Sequence, residues 1–185
     1  MPDRTTSDRP VVSIRFSAAE IAARVEEMAT DLSEKLASDT LVVSVLKGSF
    51  VFAADLIRAL SRAGADWSMD FLTLSSYGSG TETSGNVRVV RDIVDDVRDR
   101  DVLLVDDILE SGLTLSFAKK LLEERGARRV SICTLLDKPA KRRIDLEADF
   151  VGFEAGDEFL VGYGLDWAHR FRGLPYIGVV EKTAE

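Results

Sequence analysis

One stretch near the middle of the chain constrains the fold more than any other: VLLVDDILESGLT, residues 102–114. Its first four residues are apolar and mostly branched, which predicts a fully buried strand at 102–105. Two adjacent acids, Asp106 and Asp107, follow, and a third acid, Glu110, stands in a short loop. A helical pattern begins after Thr114, so the stretch predicts a strand, a loop and a helix.

The residues of this loop suit a ligand that carries both an anion and hydroxyl groups. The first turn of a helix presents unpaired N–H groups and a positive dipole end, which stabilise a phosphate. Gly112 lets the backbone approach the anion, and the hydroxyls of Ser111 and Thr114 add donors. Asp106 and Asp107 would repel phosphate but accept hydrogen bonds from a sugar or bind a metal ion. A sugar phosphate meets both conditions; a plain strand-turn-helix with solvated acids is the alternative.

A second turn has the same order, with a cation in place of the acids. Residues 40–46 (TLVVSVL) predict a buried strand and residues 50–60 a helix, with Ser49 as candidate N-cap. Gly48 exposes backbone N–H groups and Lys47 adds charge, which indicates a second anion site. A plain turn with a solvated lysine is equally consistent with this segment.

The composition is that of a soluble globular protein. With 185 residues, 45% hydrophobic and 30% charged, the chain is expected to form one domain. Its net charge of −8 does not favour nucleic acid or an anionic membrane. There is no signal-peptide pattern and no apolar run of the about 18 residues that a membrane helix needs, so a cytoplasmic protein is expected. Cys133 lies in an apolar run and is expected to be a core residue, not a nucleophile.

Three other segments have open interpretations. The low-complexity segment 75–85 (SSYGSGTETSG), with Tyr77 as its only large residue, is either a surface loop or a mobile lid. The aromatic residues of the C-terminal portion are either core or a cap that stacks on a flat ring. A basic cluster in this acidic chain is expected to be a solvated turn; its members are Lys138, Lys141, Arg142 and Arg143. Walker, G-x-G-x-x-G and zinc-ligand patterns are absent from the sequence.

Together these motifs resemble the type I phosphoribosyltransferases, and specifically their hypoxanthine-guanine branch. The signature of that family is an apolar strand, two acids and a Thr/Ser-Gly-x-Thr phosphate loop, which here stands as VLLVDDILESGLT. Residues 46–49 (LKGS) resemble the pyrophosphate loop, and residues 76–78 (SYG) the start of the catalytic lid. Three further segments resemble the family's purine-binding end: residues 149–154, 159–166 and 172–178.

The resemblance implies an α/β fold with a mainly parallel, twisted sheet flanked by helices. A single domain would span residues 1–185, with its core at about 35–140 and a mobile lid at about 75–87. A small aromatic-rich hood would be formed by residues 141–185 together with residues 1–16. The family also suggests a homodimer or a homotetramer.

For the sugar donor, the resemblance implies a site for phosphoribosyl pyrophosphate. Asp106 and Asp107 would bind the ribose hydroxyls, directly or through Mg²⁺, and Asp166 would bind a second Mg²⁺. The 5′-phosphate would be held by Ser111, Gly112, Leu113 and Thr114. Pyrophosphate would be contacted by Lys47, Gly48 and Arg172, the first two in a loop with a cis peptide. Ser76 and Tyr77 would belong to the lid.

For the acceptor, the resemblance implies a purine stacked on Phe159, near Asp166, and read at its edge by the backbone of Leu160. Lys138 would donate to the 6-oxo group. Because lysine can only donate, hypoxanthine and guanine should be used, giving IMP or GMP and pyrophosphate, while adenine should be refused.

Two residues depart from the family's pattern. The acid near the purine N7 is usually aspartate, and here it is Glu110; the first acid of the pair is often glutamate, and here it is Asp106. We expect Glu110 to manage the ring proton. A preference for xanthine stays open, since the sequence does not resolve the surroundings of the purine 2-substituent. A nucleotide-sensing, RNA-binding regulator of the same fold is disfavoured by the acidic balance and the intact pyrophosphate loop.

Overall fold

The computed structural model describes residues 10–76 and 87–181. The strands are β1 (Val12–Phe16), β2 (Leu41–Leu46), β3 (Ser68–Ser76), β4 (Val87–Arg91), β5 (Asp101–Leu109), β6 (Arg129–Asp137), β7 (Phe150–Glu154), β8 (Leu160–Val161) and β9 (Ile177–Val180). The helices are α1 (Ala18–Lys35), α2 (Phe50–Arg62) and α3 (Leu113–Glu124), and a short 3-10 turn spans Pro139–Lys141.

The main sheet has six strands in the order β4-β3-β2-β5-β6-β7. Strands β3, β2, β5, β6 and β7 run parallel, and only β4, at one edge, is antiparallel to its neighbour. Strands β1, β9 and β8 form a separate antiparallel sheet. The ring of Phe16, from the small sheet, stacks on that of Phe153 in β7 at a centroid distance of 4.4 Å. The predicted α/β fold with a mainly parallel sheet flanked by helices is confirmed.

Each face of the main sheet carries its own apolar core. Leu103 and Val105 of β5 pack with residues of α1 and α2 on one face. Val102 and Leu104 pack with residues of α3 on the other face. This alternation follows from the two-residue period of a strand, and it explains why a continuous apolar run is needed here. Helices on both faces leave the carboxyl ends of the strands open as a ligand crevice.

The starts of the first two helices differ from each other in how they are capped. At α1, the Ser17 hydroxyl accepts from the Glu20 N–H, and the Glu20 carboxylate accepts from the Ser17 N–H, so the predicted capping box is present. At α2, Ser49 does occupy the N-cap position but makes no capping hydrogen bond. Its hydroxyl instead donates to the carbonyl of Val45 at 2.5 Å and shares a hydrogen bond with Ser44. Ser49 therefore fixes the turn after β2 from inside the core.

Two further expectations concern burial and membranes. Cys133 is fully buried, and burial raises the pKa of its thiol far above the usual range, as expected for a core residue. Within residues 10–76 and 87–181, no helix combines the length and the apolar character needed to cross a membrane.

Candidate active site

The carboxyl ends of three neighbouring parallel strands meet at one edge of the main sheet. Strand β2 is followed by Lys47 and Gly48, β5 carries the acids near its end and leads into the phosphate loop, and β6 is followed by Lys138. Chemistry-bearing residues from three separate parts of the sequence are therefore brought together at the place where ligands bind in open α/β sheets.

The two acids differ from the prediction in one respect: they lie within a strand, not after it. Strand β5 continues to Leu109, because Ile108 and Leu109 pair with Leu136 and Asp137 of β6. Asp106 and Asp107 consequently lie in the part of β5 that pairs with β6 but extends beyond its pairing with β2, and they are 8% and 9% exposed. The N–H of Asp107 donates to the Oδ1 atom of Asp106 at 3.0 Å. The carboxylate pair is a rigid feature of the sheet, not a mobile loop.

The phosphate loop leads directly into α3, as predicted. Gly112 is the N-cap residue and has a φ of +85°, a left-handed conformation that favours glycine. A Cβ atom there would lie 2.9 Å from Cγ1 of Ile144, so glycine is also required by the close packing. The Ser111 hydroxyl accepts from the Leu113 N–H at 3.4 Å. Asp106, Asp107, Glu110, Ser111, Gly112 and Thr114 together line a cavity of about 520 Å³.

The basic cluster is only in part the solvated turn that was predicted: Lys141 and Arg143 are exposed, but the other two cations are not. Lys138 is 4% exposed. Lys141 and Arg143 line the phosphate-loop cavity, and the backbone N–H of Arg143 donates to the Ser111 carbonyl at 3.0 Å. Arg142 donates to the carbonyls of Leu109 and Glu110 and forms an ion pair with Asp137. The turn after β6 thus fastens the phosphate loop in place, a long-range arrangement with no local signal.

The Lys-Gly-Ser turn packs against the acid pair. The peptide bond between Leu46 and Lys47 is cis, as the resemblance implied. A Cβ atom on Gly48 would lie 1.8 Å from Oδ2 of Asp107, and one on Gly164 would lie 2.1 Å from the Gly48 carbonyl oxygen. Gly48 is therefore enclosed between the acid strand and the turn at Gly164, and it leaves no room for a side chain.

Lys138 meets Glu110 at the end of β5. Its ammonium group donates to Oε1 of Glu110 at 2.9 Å and to the backbone carbonyl of Glu158 at 2.8 Å. Because Glu158 precedes Phe159, this second contact places the lysine beside the segment that the resemblance assigns to the purine.

Asp166 and Arg172 form an ion pair at 2.5 Å in a tight C-terminal turn. Arg172 also donates to the Gly164 carbonyl, and the N–H of His169 donates to Asp166. Burial raises the pKa of Asp107, and the positive charge of Arg172 offsets a small part of this rise.

The remaining predicted residues are less closely grouped. Phe159 is 50% exposed and lines a second cavity, of about 500 Å³, together with Trp167. Leu160 is buried and pairs with Val179. Ser76 ends strand β3, and Tyr77 lies outside the described residues.

Burial changes the acid–base properties of the carboxylate pair. Burial, and then the charge of Asp107, raises the pKa of Asp106 well above its usual range. Burial also raises the pKa of Asp107. Two desolvated carboxylates side by side are poorly stabilised as a doubly charged pair, so they favour partners such as a cation or hydroxyl donors.

Asp106→Asn is expected to stabilise the metal-free protein at neutral and alkaline pH. A raised pKa means that the folded state binds the proton more tightly than the unfolded state, so this site favours folding at low pH and opposes it as the pH rises. Asparagine stays uncharged, so the melting temperature of the variant should exceed that of the wild type by about 2 °C or more at pH 8. The gap should close as the pH falls to about 4, where the unfolded carboxyl is also protonated. Calorimetry in EDTA measures this, with the exposed Asp145→Asn as control; a gap that does not depend on pH would contradict it.

Comparisons with known proteins agree with this geometry. Residues 16–167 match the family model described as the phosphoribosyl transferase domain. The chain is 44% identical to a hypoxanthine phosphoribosyltransferase of Escherichia coli (strain K12) over 172 residues, which cover 91% of this chain and 95% of that protein. It is 45% identical to a hypoxanthine-guanine phosphoribosyltransferase of Bacillus subtilis (strain 168), with 92% and 94% covered. A crystal structure of a hypoxanthine-guanine phosphoribosyltransferase from Bacillus anthracis superposes with a TM-score of 0.86 at 41% identity, covering 94% of this chain and 100% of that one.

Proposed function

Since this chain belongs to the phosphoribosyltransferase family, in its hypoxanthine-guanine branch, we propose that it transfers the 5-phosphoribosyl group from phosphoribosyl pyrophosphate to N9 of hypoxanthine or guanine. The products are IMP or GMP and pyrophosphate, and the role is purine salvage. One observation carries the proposal: a buried carboxylate pair, a phosphate loop at a helix start and a buried lysine lie together at one edge of the sheet. These three groups match a ribose, its 5′-phosphate and a 6-oxopurine.

The sugar donor is bound at the carboxyl ends of two strands, β2 and β5. The first-turn N–H groups of α3 and the hydroxyls of Ser111 and Thr114 hold the 5′-phosphate, while Leu113 contributes its backbone. Asp106 and Asp107 accept hydrogen bonds from the ribose hydroxyls. Leu113 provides no charge. Lys141 and Arg143 line the same cavity and add positive charge there.

The leaving pyrophosphate faces the Lys-Gly-Ser turn. Lys47 and Arg172 offset its charge, and Gly48 allows its close approach to the backbone. Ser76 and Tyr77 belong to the lid that excludes water from the reacting sugar.

The residues present fit Mg²⁺. Asp106, Asp107 and Asp166 offer the oxygen ligands that this ion prefers, and the first two are buried carboxylates that a cation would stabilise. In the part of the chain that the structure describes, no three acidic, histidine or cysteine side chains form a metal cluster. Mg²⁺ is usually held by one or two carboxylates together with substrate oxygens. When bound, Mg²⁺ neutralises charge on the pyrophosphate.

The reaction separates charge at the sugar. Breaking the bond between C1′ and pyrophosphate leaves an electron-poor sugar, and Lys47 and Arg172 stabilise the departing anion. The purine N9 then attacks C1′, while the carboxylate of Glu110 takes the ring proton at N7. Phe159 stacks on the base, which the backbone of Leu160 orients from its edge.

A panel of bases tests the proposal. With phosphoribosyl pyrophosphate and Mg²⁺, hypoxanthine and guanine should release pyrophosphate. Adenine should react at least about 10⁴-fold less efficiently, because Lys138 is a donor that a 6-amino group leaves unpaired. Xanthine in the same panel decides the remaining substrate preference. The absence of turnover with every 6-oxopurine would refute the proposed activity.

The proposal extends to the setting of the enzyme. We place it in the cytoplasm as a homodimer or homotetramer of single-domain chains, without nucleic acid or membrane as partner. The small sheet of β1, β8 and β9, with the turn at Asp166, is the hood over the purine, and residues 75–87 are the lid. Light scattering on the purified protein decides between the dimer and the tetramer.

A further inference from the structure

The ammonium group of Lys138 is held by oxygens from two different segments. One is Oε1 of Glu110, at 2.9 Å, and the other is the backbone carbonyl of Glu158, at 2.8 Å. The lysine is 4% exposed, whereas the Glu110 side chain is 47% exposed. The carboxylate therefore sits at the mouth of the site, and the cation it binds sits inside.

These two contacts determine the direction in which the lysine can donate a hydrogen bond to a ligand. An ammonium group has three N–H donors, and it can rotate freely unless acceptors hold it. With two donors directed to Glu110 and Glu158, the direction of the third is fixed. A buried cation also needs a counter-charge, and Glu110 supplies it within hydrogen-bonding distance.

The length of the Glu110 side chain matters for this contact. The N–H of Lys138 donates to the carbonyl of Leu109 at 2.9 Å, so the two backbones are already in contact. Arg142 binds the carbonyls of Leu109 and Glu110, which limits movement of the backbone. An aspartate at position 110 would be shorter by one carbon–carbon bond, about 1.5 Å. With the backbone held, its carboxylate would not reach the ammonium at a hydrogen-bonding distance.

We infer that Glu110 is a positioning residue for purine recognition, which orients Lys138 so that its remaining N–H faces the 6-oxo group of the base. The inference rests on the proposed function, and it gives Glu110 a role separate from proton transfer. Binding of a finished nucleotide involves no proton transfer, so equilibrium binding measures the positioning role separately from proton transfer. If Glu110 has this role, the preference for a 6-oxo over a 6-amino group depends on Glu110 even in binding. Proton transfer alone would not require Glu110 for binding.

The test is calorimetric binding of IMP and AMP, which differ at position 6 of the base. The wild type should prefer IMP. Glu110→Asp and Lys138→Met should each reduce that preference about tenfold or more, the effect of losing a well-directed charged hydrogen bond. The double variant should lose no more than Lys138→Met alone, because both changes remove the same contact. Glu110→Gln keeps the side-chain length and an acceptor oxygen, so it should retain more of the preference than Glu110→Asp.

The control is Glu34→Gln, at an exposed carboxylate near the end of α1, which should leave the preference unchanged. Melting temperatures show that each variant is folded. If the wild type prefers IMP and Glu110→Asp retains the full preference, the positioning role is wrong and the proposed function stands. If the wild type binds IMP no better than AMP, both are wrong. Additive losses in the double variant would also overturn the inference.

Discussion

Replacing Gly48 with alanine is expected to lower kcat/KM for phosphoribosyl pyrophosphate about a hundredfold or more. The new Cβ atom would lie 1.8 Å from Oδ2 of Asp107 and 2.6 Å from its Cγ. Rotating the carboxylate does not relieve the overlap, since Cγ itself is too close. Asp107 lies between two residues of β5 that pair with β6. This pairing limits the movement of its backbone, so its side chain must leave the ribose site.

Steady-state kinetics with hypoxanthine measures this effect, and the matched control is Gly64→Ala. Gly64 has a φ of +89°, yet a Cβ atom there would meet nothing within 4 Å. That variant should lose some stability from its backbone conformation and keep its kcat/KM. Equal losses of activity in the two variants would mean that the contact with Asp107 is not the cause. A Gly48→Ala protein with wild-type kcat/KM would show that the ribose site tolerates displacement of this acid.

The parts of the fold that the sequence predicts well depend on local patterns. The capping box at Ser17 and Glu20 acts over three residues, and the left-handed conformation of Gly112 follows from the residue type itself. Apolar runs mark the buried strands because both faces of a parallel sheet are covered. The phosphate loop could therefore be predicted from one short segment.

The extent of β5 could not be predicted in the same way. Charged residues normally end a buried strand, so the pattern placed the strand end before Asp106. The pairing of Ile108 with Leu136 carries the strand onward, and that pairing is a property of two distant segments. The acids are tolerated in the sheet because they line an open cavity at its edge, not because they are solvated in a loop.

The contacts of Lys138 and Arg142 could not be predicted from local patterns for a related reason. Lys138 and Arg142 are 28 or more residues from the groups they bind at the phosphate loop, and no local pattern encodes such contacts. One signal was available: Lys138 closely follows the apolar run that contains Cys133. Because the carboxyl ends of neighbouring parallel strands meet at one edge, a lysine at that place is a candidate site residue.

Glu110→Ala is expected to reduce kcat with hypoxanthine by about 10² to 10⁴, the usual contribution of a positioned acid–base group. The carboxylate at the mouth of the site is the nearest candidate to receive the ring proton, and alanine leaves water in its place. Glu110→Gln should show a similar fall in kcat, since an amide cannot take up the proton. Single-turnover kinetics measures the chemical step separately from product release.

Glu110→Asp separates proton transfer from reach. Aspartate keeps a carboxylate but holds it about 1.5 Å further back, and a misplacement of about 1 Å can cost a hundredfold in rate. Its kcat should therefore fall clearly, while remaining above that of Glu110→Ala and Glu110→Gln. The glutamine variant should show the opposite combination, with a low kcat and a largely retained preference for IMP over AMP. If alanine at position 110 keeps near wild-type turnover, Glu110 is not the proton carrier, and water or another group takes that role.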